Sequence, residues 1–453
     1  MTKILVEFLQ ECGINISKMP EVILSNAGNF RAIFDNEKDL QTVVKHLPKL
    51  IAKNAYGLQI IQAVVDYDGD YKSTNSKLES RLKIARNKIA FPLDFSLLLL
   101  KHNPKTALPL IPQSKNGEKC DKSTFQKLQR FESFDKAHPN SINELSQLCN
   151  DKNKIALIYA DGNALGAIVR NLDKNEMKDF SQKLDSATKD AFKKACESTK
   201  ENLTQKDSFK IREVICGGDD LVVVCNADIA LDFAKNFLAE FEKQTQNIHK
   251  GKNLNACAGI AFFNHKYPIH YGLKLAKDLC AHAKRDSKAI DSTLPPSCLM
   301  FHNIQSSAVQ SFENFIKDEL TLNANSLGVN SQSKAVRLDF GAYFLHKLNN
   351  STPTIQDLQN LIAAFRAEDA PTSRLRQWLS ILESNRNLAD NELKQIAKIY
   401  ATFGDKNLTA FKAMHKDLSL QNLITQKDGI EKTPIYDIIS IISNTAEVFK
   451  LKD

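Results

Sequence analysis

Residues 214–225 read VICGGDDLVVVC, with two adjacent carboxylates, Asp219 and Asp220, directly after Gly217 and Gly218 and between two β-branched apolar runs. Taken alone, such a stretch is a solvated turn more often than a site. A third carboxylate shifts the balance. In KIALIYADGNALGAIVRNL (154–172) a buried-strand run, IALIYA, ends at Asp161, and Gly162, Asn163 and Gly166 then allow a tight turn into a helix beginning near Ala164. A carboxylate at the C-terminal end of a strand, beside a glycine-containing turn, is where α/β sheets place ligand-binding groups. The backbone amides of that turn suit a phosphate. If the two strands are neighbours, Asp161, Asp219 and Asp220 converge at one sheet edge, where they repel unless a cation neutralises them. Oxygen-only ligands with open positions suit Mg²⁺ or Mn²⁺, which normally also bind substrate phosphates. A pair of such ions lowers the pKa of an attacking hydroxyl and stabilises a leaving pyrophosphate.

A further element lies downstream. GIAFFNHKYPIHYGLKLAKDLCAHAKRDSK (259–288) reads as strand, loop, Pro268 and an amphipathic helix with Leu273, Ala276, Leu279, Cys280 and Ala283 on its apolar stripe. Lys284 and Arg285 close that helix and are placed to reach phosphates as charge clamps. Taken singly, either is equally well read as a basic residue completing a helix C-terminus.

The elements that must position these residues follow from periodicity. VICGGDDLVVVCN forms a hairpin, 227–244 an amphipathic helix with Leu231, Ala234, Phe237, Leu238 and Phe241 inward, and NACAGIAFF (255–263) a strand. The same order occurs earlier: a hairpin at 21–35 turning at Asn26–Asn29, a helix from about Glu37 to Lys53, and a strand at LQIIQAVVDY (58–67). This reads as an internal repeat, and only its second copy carries carboxylates at the turn. Residues 76–101 read as helical and then apolar, 102–125 as a polar, Pro-containing linker, and SKAIDSTLPPSC (287–298) as a break that ends the central unit. Helical patterns then dominate at 304–320, 355–367, 371–384, 390–402 and 433–449. The division expected is 1–70, 71–150, 151–290 and 291–453.

The length of 453 residues suits two to four domains, and 42% hydrophobic with 25% charged residues is ordinary for a globular protein with sizeable cores. No segment reads as a signal peptide and no apolar run is long enough to span a bilayer, so the cytoplasm is the expected location and no membrane partner is expected. The nine cysteines are scattered singly, without a CxxC pair, which indicates neither a zinc ribbon nor a disulfide framework. A net charge of +8 permits contact with phosphates or nucleic acid without demanding it.

YADGNALG, CGGDDLVVV and AGIAFFNHKYP…LAKDLCAHAKR, in this order and spacing, resemble the catalytic palm of the polymerase-like large subunit of type III CRISPR effectors and its stand-alone relatives. The resemblance implies an α/β (α+β) fold: a ferredoxin-like palm with a GGDD hairpin, a degenerate or partial first palm, and a C-terminal helical domain. It implies a nucleotidyltransferase or nucleotide cyclase that joins ATP or another NTP into a cyclic mono- or oligonucleotide messenger in antiviral defence. Asp161, Asp219 and Asp220 would be catalytic and hold Mg²⁺ or Mn²⁺. Gly217 and Gly218 would admit the nucleotide, and Lys284 would hold phosphate, with Gly162, Asn163, Gly166 and Arg285 completing the expected nucleotide-binding set. The chain departs from the family pattern in having no His-Asp dipeptide, and so no nuclease domain of that signature. Only Cys120 remains of a zinc-binding cluster. The first copy is abbreviated, or completed by another chain or a second copy in a homodimer. RNA or CRISPR-type protein subunits are the other expected partners. Two alternatives stay open: a non-catalytic nucleotide-binding scaffold of an RNA-guided complex, and a diguanylate-cyclase-like enzyme, which the Asp-Asp spelling disfavours.

Overall fold

A computed structural model describes residues 20–26, 28–88, 100–115, 117–137, 142–204, 209–248, 251, 253–305, 311–322, 335–349, 352–427 and 429–447. The chain forms two compact units, one from 1–141 with 166–181 and the other from 142–165 with 182–453. Residues 291–453 fall in the same unit as 182–290. The apolar run at 91–99 and the polar segment 323–334 lie outside the described residues. Among the described residues no helix is long and apolar enough to cross a membrane.

In the first unit β1 (Glu21–Asn26) and β2 (Asn29–Ile33) form an antiparallel hairpin, followed by helix Glu37–Asn54. The hairpin and helix of the expected repeat are present, but its strand is not. Residues 58–67 belong to no strand, and Leu58, Ile61 and Val64 are exposed. Alternating apolar residues specify a strand only where a neighbour accepts its backbone bonds, and β1–β2 is a sheet of two. The expected linker 102–125 is also corrected, because β3 (Leu110–Lys115) and β4 (Glu118–Asp121) make a second hairpin leading into helix Lys122–Ala137. Buried Asp121 organises it, accepting from Asn103 Nδ2 (2.8 Å), Thr106 Oγ1 (2.9 Å), Thr124 N (3.0 Å) and Thr124 Oγ1 (2.7 Å). Burial alone would raise this carboxyl, but those donors prevail and hold it at about 2.

The second unit is built on a six-stranded sheet. Its strands are β5 (Lys154–Gly162), β6 (Ile211–Gly217), β7 (Asp220–Asn226), β8 (Ala256–Asn264), β9 (Cys298–Asn303) and, after short strands β10 (Thr321–Leu322) and β11 (Val336–Arg337), β12 (Tyr343–Phe344). The order is β12-β9-β8-β5-β7-β6. Strands β5 to β8, with helices Lys174–Glu201 and Ala230–Gln244 as crossovers, make the ferredoxin-like order 4-1-3-2, with β5 antiparallel to both neighbours. Strand β9 then adds parallel to β8. The break read at 287–298 is thus a connection within the sheet: helix Ile269–Ile290 runs past its start and β9 begins at its end.

Strands β5, β7 and β8 are buried almost throughout, which explains their continuous apolar runs. On one face Gly259 lies against helix Ile269–Ile290, and a Cβ there would stand 2.0 Å from Ala276 O and 2.6 Å from Cys280 N. The obstacles are backbone atoms, so the helix must move to admit even a methyl group. Gly259→Ala is expected to cost about 3 kcal/mol. A thermal melt reads the loss, and an unchanged midpoint would contradict this close packing.

Beyond the sheet, helices Ile355–Arg366, Thr372–Ser384, Arg386–Ile399, Ala401–Lys406, Leu408–Met414 and Ile435–Asn444 surround Trp378, Phe365, Phe403 and Phe411. A small sheet, β10-β11-β14-β13, contains β13 (Thr425–Lys427) and β14 (Ile430–Lys432), which periodicity did not reveal. Asp437 ties the last helix to the large sheet, accepting from Tyr343 Oη at 2.6 Å and Phe340 N at 3.0 Å.

Candidate active site

The register of β5 with β7 runs to Ala160 opposite Leu221, so Asp161 and Asp220 follow at the same end of adjacent strands. Gly217 pairs with Asp220 across a two-residue turn of Gly218 and Asp219. Gly218 has φ +64°, the left-handed value a hairpin turn of this kind demands at its first central position. Asp219 therefore sits at the tip, and Asp161 and Asp220 stand at its base. The three carboxylates predicted to meet are brought to one end of the sheet.

Their electrostatics follow from this crowding. Asp219 is pushed up to about 7, first by burial and then by the charges of Asp161 and Asp220, with a hydrogen-bonding contact to Asp161. Asp220 is also raised by burial, against the Tyr159 hydroxyl, which donates to its Oδ1 at 3.0 Å and pulls the other way. Lys284 Nζ lies 2.6 Å from Asp161 Oδ2 and donates to Gly162 O at 2.7 Å. Among the described residues no group of three or more His, Cys, Asp or Glu side chains is arranged as a ready metal cage. The donor chemistry nevertheless fits a hard divalent cation: three carboxylates, one of them held partly protonated at neutral pH by its neighbours, with an ammonium as the resident counter-charge.

The other predicted residues divide. Gly217 and Gly218 form the tip, and a Cβ at Gly162 would stand 2.4 Å from Leu165 Cδ1 and 3.1 Å from Asp219 Cβ, so this glycine lets Asp219 pack inward. Asn163 is committed elsewhere: its N–H donates to Asn255 O (2.8 Å) and its Nδ2 to Pro295 O (3.0 Å). Neither donor is free for a phosphate, because the turn is closed by the segment that enters β8 and by the loop that leads to β9. Gly166 lies in the short helix Leu165–Val169, in the segment that groups with the first unit. Arg285 turns away, toward His282 and Glu313 (3.6 Å), because successive helical residues point about 100° apart.

Sequence reasoning missed the residues that hold the tip. Asp185 Oδ1 accepts from Gly218 N at 3.0 Å, Lys189 pairs with Asp185 Oδ2 at 2.6 Å, and Thr188 Oγ1 donates to Gly218 O at 2.5 Å. On a long polar helix these side chains read as a solvated face, and their i, i+3, i+4 spacing was the one available signal. Asp185→Ala is expected to free the tip, costing about 1–2 kcal/mol of stability and roughly tenfold in any activity of the site. Melting and turnover on one preparation check both, and full activity in that variant would deny the tip this support.

A family model for the Cas10/Cmr2 second palm domain matches residues 154–292. Among curated proteins, none matches the chain. Solved structures similar to it include a Csm1-Csm4 cassette in complex with AMPPNP (TM-score 0.41, 14% identity, 62% of this chain and 48% of that one). The cassette in complex with one ATP gives 0.40 at 15% identity and the same coverage, and that in complex with cA4 gives 0.37 at 13%. The chain spans about half the length of the structures it matches.

Proposed function

We propose, for a chain whose residues 154–292 match the second palm domain of Cas10/Cmr2, that it is a metal-dependent nucleotidyltransferase or cyclase. It converts an NTP, ATP in preference, into a cyclic mono- or oligonucleotide messenger in CRISPR-type or related antiviral defence. The observation that carries this reading is the convergence of Asp161, Asp219 and Asp220 at one end of a ferredoxin-like sheet, beside Lys284.

In the reaction a ribose hydroxyl attacks an α-phosphorus, the bond to the β-phosphate oxygen breaks, and pyrophosphate leaves. Mg²⁺ or Mn²⁺ held by Asp161, Asp219 and Asp220 would supply charge neutralisation and an activated hydroxyl. The chain's own residues do the positioning. Asp185 and Thr188 fix the hairpin tip, β5 fixes Asp161 between two strands, and Lys284 holds an ammonium on Asp161 and Gly162 O at the edge of the carboxylate cluster. Incubation with each labelled NTP and Mg²⁺ or Mn²⁺ tests the chemistry. A product released with pyrophosphate, and lost in Asp220→Ala, is expected. No product from any NTP would sink the reading.

One observation favours a second reading. The Lys284–Asp161 ion pair already gives Asp161 a counter-charge, which suits a scaffold subunit that binds nucleotide without turning it over. That protein would co-purify with RNA and partner subunits in a salt-sensitive association.

A further inference from the structure

Tyr159 lies two residues before Asp161 on β5, so both side chains leave the same face of the sheet. In sequence it is one more apolar member of a strand. In the structure its hydroxyl, on a half-buried ring, reaches across to the neighbouring strand and donates to Asp220 Oδ1 at 3.0 Å. The ring is itself held. Lys277 Nζ sits 5.3 Å from its centroid, an ammonium over an aromatic face. Lys277 and Lys284 are seven residues apart on helix Ile269–Ile290, two turns along one face. That face lays one ammonium on Asp161 and the other on the ring that holds Asp220.

We propose that Tyr159 is the positioning residue of the site: its hydroxyl occupies one oxygen of Asp220 and fixes the carboxylate, leaving the other oxygen to face a divalent cation, while Lys277 clamps the ring. A carboxylate free to rotate loses entropy when a cation orders it; one already held by an outer hydrogen bond does not. Outer partners of this kind typically change metal affinity by about 10- to 100-fold. The inference deepens the proposed function and rests on its assignment of Asp220 as a cation-holding residue. Tyr159 touches neither substrate nor cation; it acts through Asp220.

Mn²⁺ binding to the full chain, followed without nucleotide by loss of the free-ion paramagnetic resonance signal, tests it apart from activity. Tyr159→Phe keeps the ring and its contact with Lys277 and removes only the hydroxyl. The expected result is a half-saturating Mn²⁺ concentration raised about tenfold with the melting midpoint kept. An unchanged binding curve would overturn the inference. Should Tyr159→Phe fail to fold, Lys277→Met, altered at an exposed position, carries the test at high salt, where the field of the lost charge is screened. Weaker Mn²⁺ binding then supports the clamp, and equal or tighter binding overturns it. A wild-type chain that binds no Mn²⁺ sinks the proposed function instead, so the two failures are distinguishable.

Discussion

Replacing Asp219 by Asn should abolish product formation and at the same time make the metal-free protein more stable. The loss follows from removing one of the three carboxylates proposed to hold a cation, and is expected to exceed about 10³-fold. The gain follows from the crowding that pushes Asp219 up to about 7. An unfolded Asp ionises near its ordinary 3.8, so the folded chain holds a proton over the interval between those values. Its contribution to stability is complete below the unfolded value, shrinks as pH rises through the interval, and is lost above the folded value. Asn is neutral at every pH. Its advantage over Asp should therefore be near zero at about pH 4, grow to about pH 7 and stay level above. The whole shift would amount to about 4 kcal/mol, and partial exposure of the tip reduces it to about 2 kcal/mol. Added Mn²⁺ should reverse the order, raising the wild-type midpoint and leaving that of Asp219→Asn unmoved. Melting curves of both proteins across pH, with and without Mn²⁺, decide it. Parallel pH dependences would show that Asp219 does not carry the strain assigned to it.

How much of this was legible depends on whether the signal was local. Asp219 and Asp220 could be placed because a Gly-Gly turn and two β-branched runs are contained within twelve residues, and Asp161 because IALIYA ends on it. That their two strands are neighbours was a condition of the reading, and the register meets it. What escaped was whatever depends on a partner far along the chain. Tyr159 reads as core until β7 is seen beside it. Asp185 reads as a solvated helix carboxylate until the hairpin tip is seen to donate to it. The hairpin of β3 and β4 is a different case: the donors to Asp121 lie close by, at 103, 106 and 124, and it was the prolines and polar residues of 102–125 that gave the stretch the look of a linker. Residues 58–67 carry a strand pattern without a strand, since alternation fixes which side chains could face a core and says nothing about a neighbour to pair with. Arg285 was grouped with Lys284 by adjacency, yet on a helix adjacency in sequence separates side chains, and Lys277, seven positions away, is the residue that shares Lys284's face.

Lys284 sharpens the choice between enzyme and scaffold, because the two give its removal different consequences. Its ammonium lies between a carboxylate oxygen and a carbonyl, 2.6 Å from Asp161 and 2.7 Å from Gly162 O. A cation entering among the carboxylates must displace it or share Asp161 with it, and two positive charges at such a distance repel by several kcal/mol even at an effective dielectric of about 20. Lys284→Met removes that competitor while keeping the length of the side chain. Mn²⁺ should then bind more tightly, by roughly threefold once the pair's partial exposure is allowed for. If Lys284, once released, meets the phosphates of the bound NTP, the same change should raise the NTP concentration for half-maximal rate and lower turnover, together about 10²- to 10³-fold. Tighter metal binding with poorer turnover is thus the signature of a residue that exchanges one anion for another during the cycle. A scaffold would show the first effect without the second, having no turnover to lose. A purely structural Lys284 would show neither, and its replacement would appear only as a lower melting midpoint.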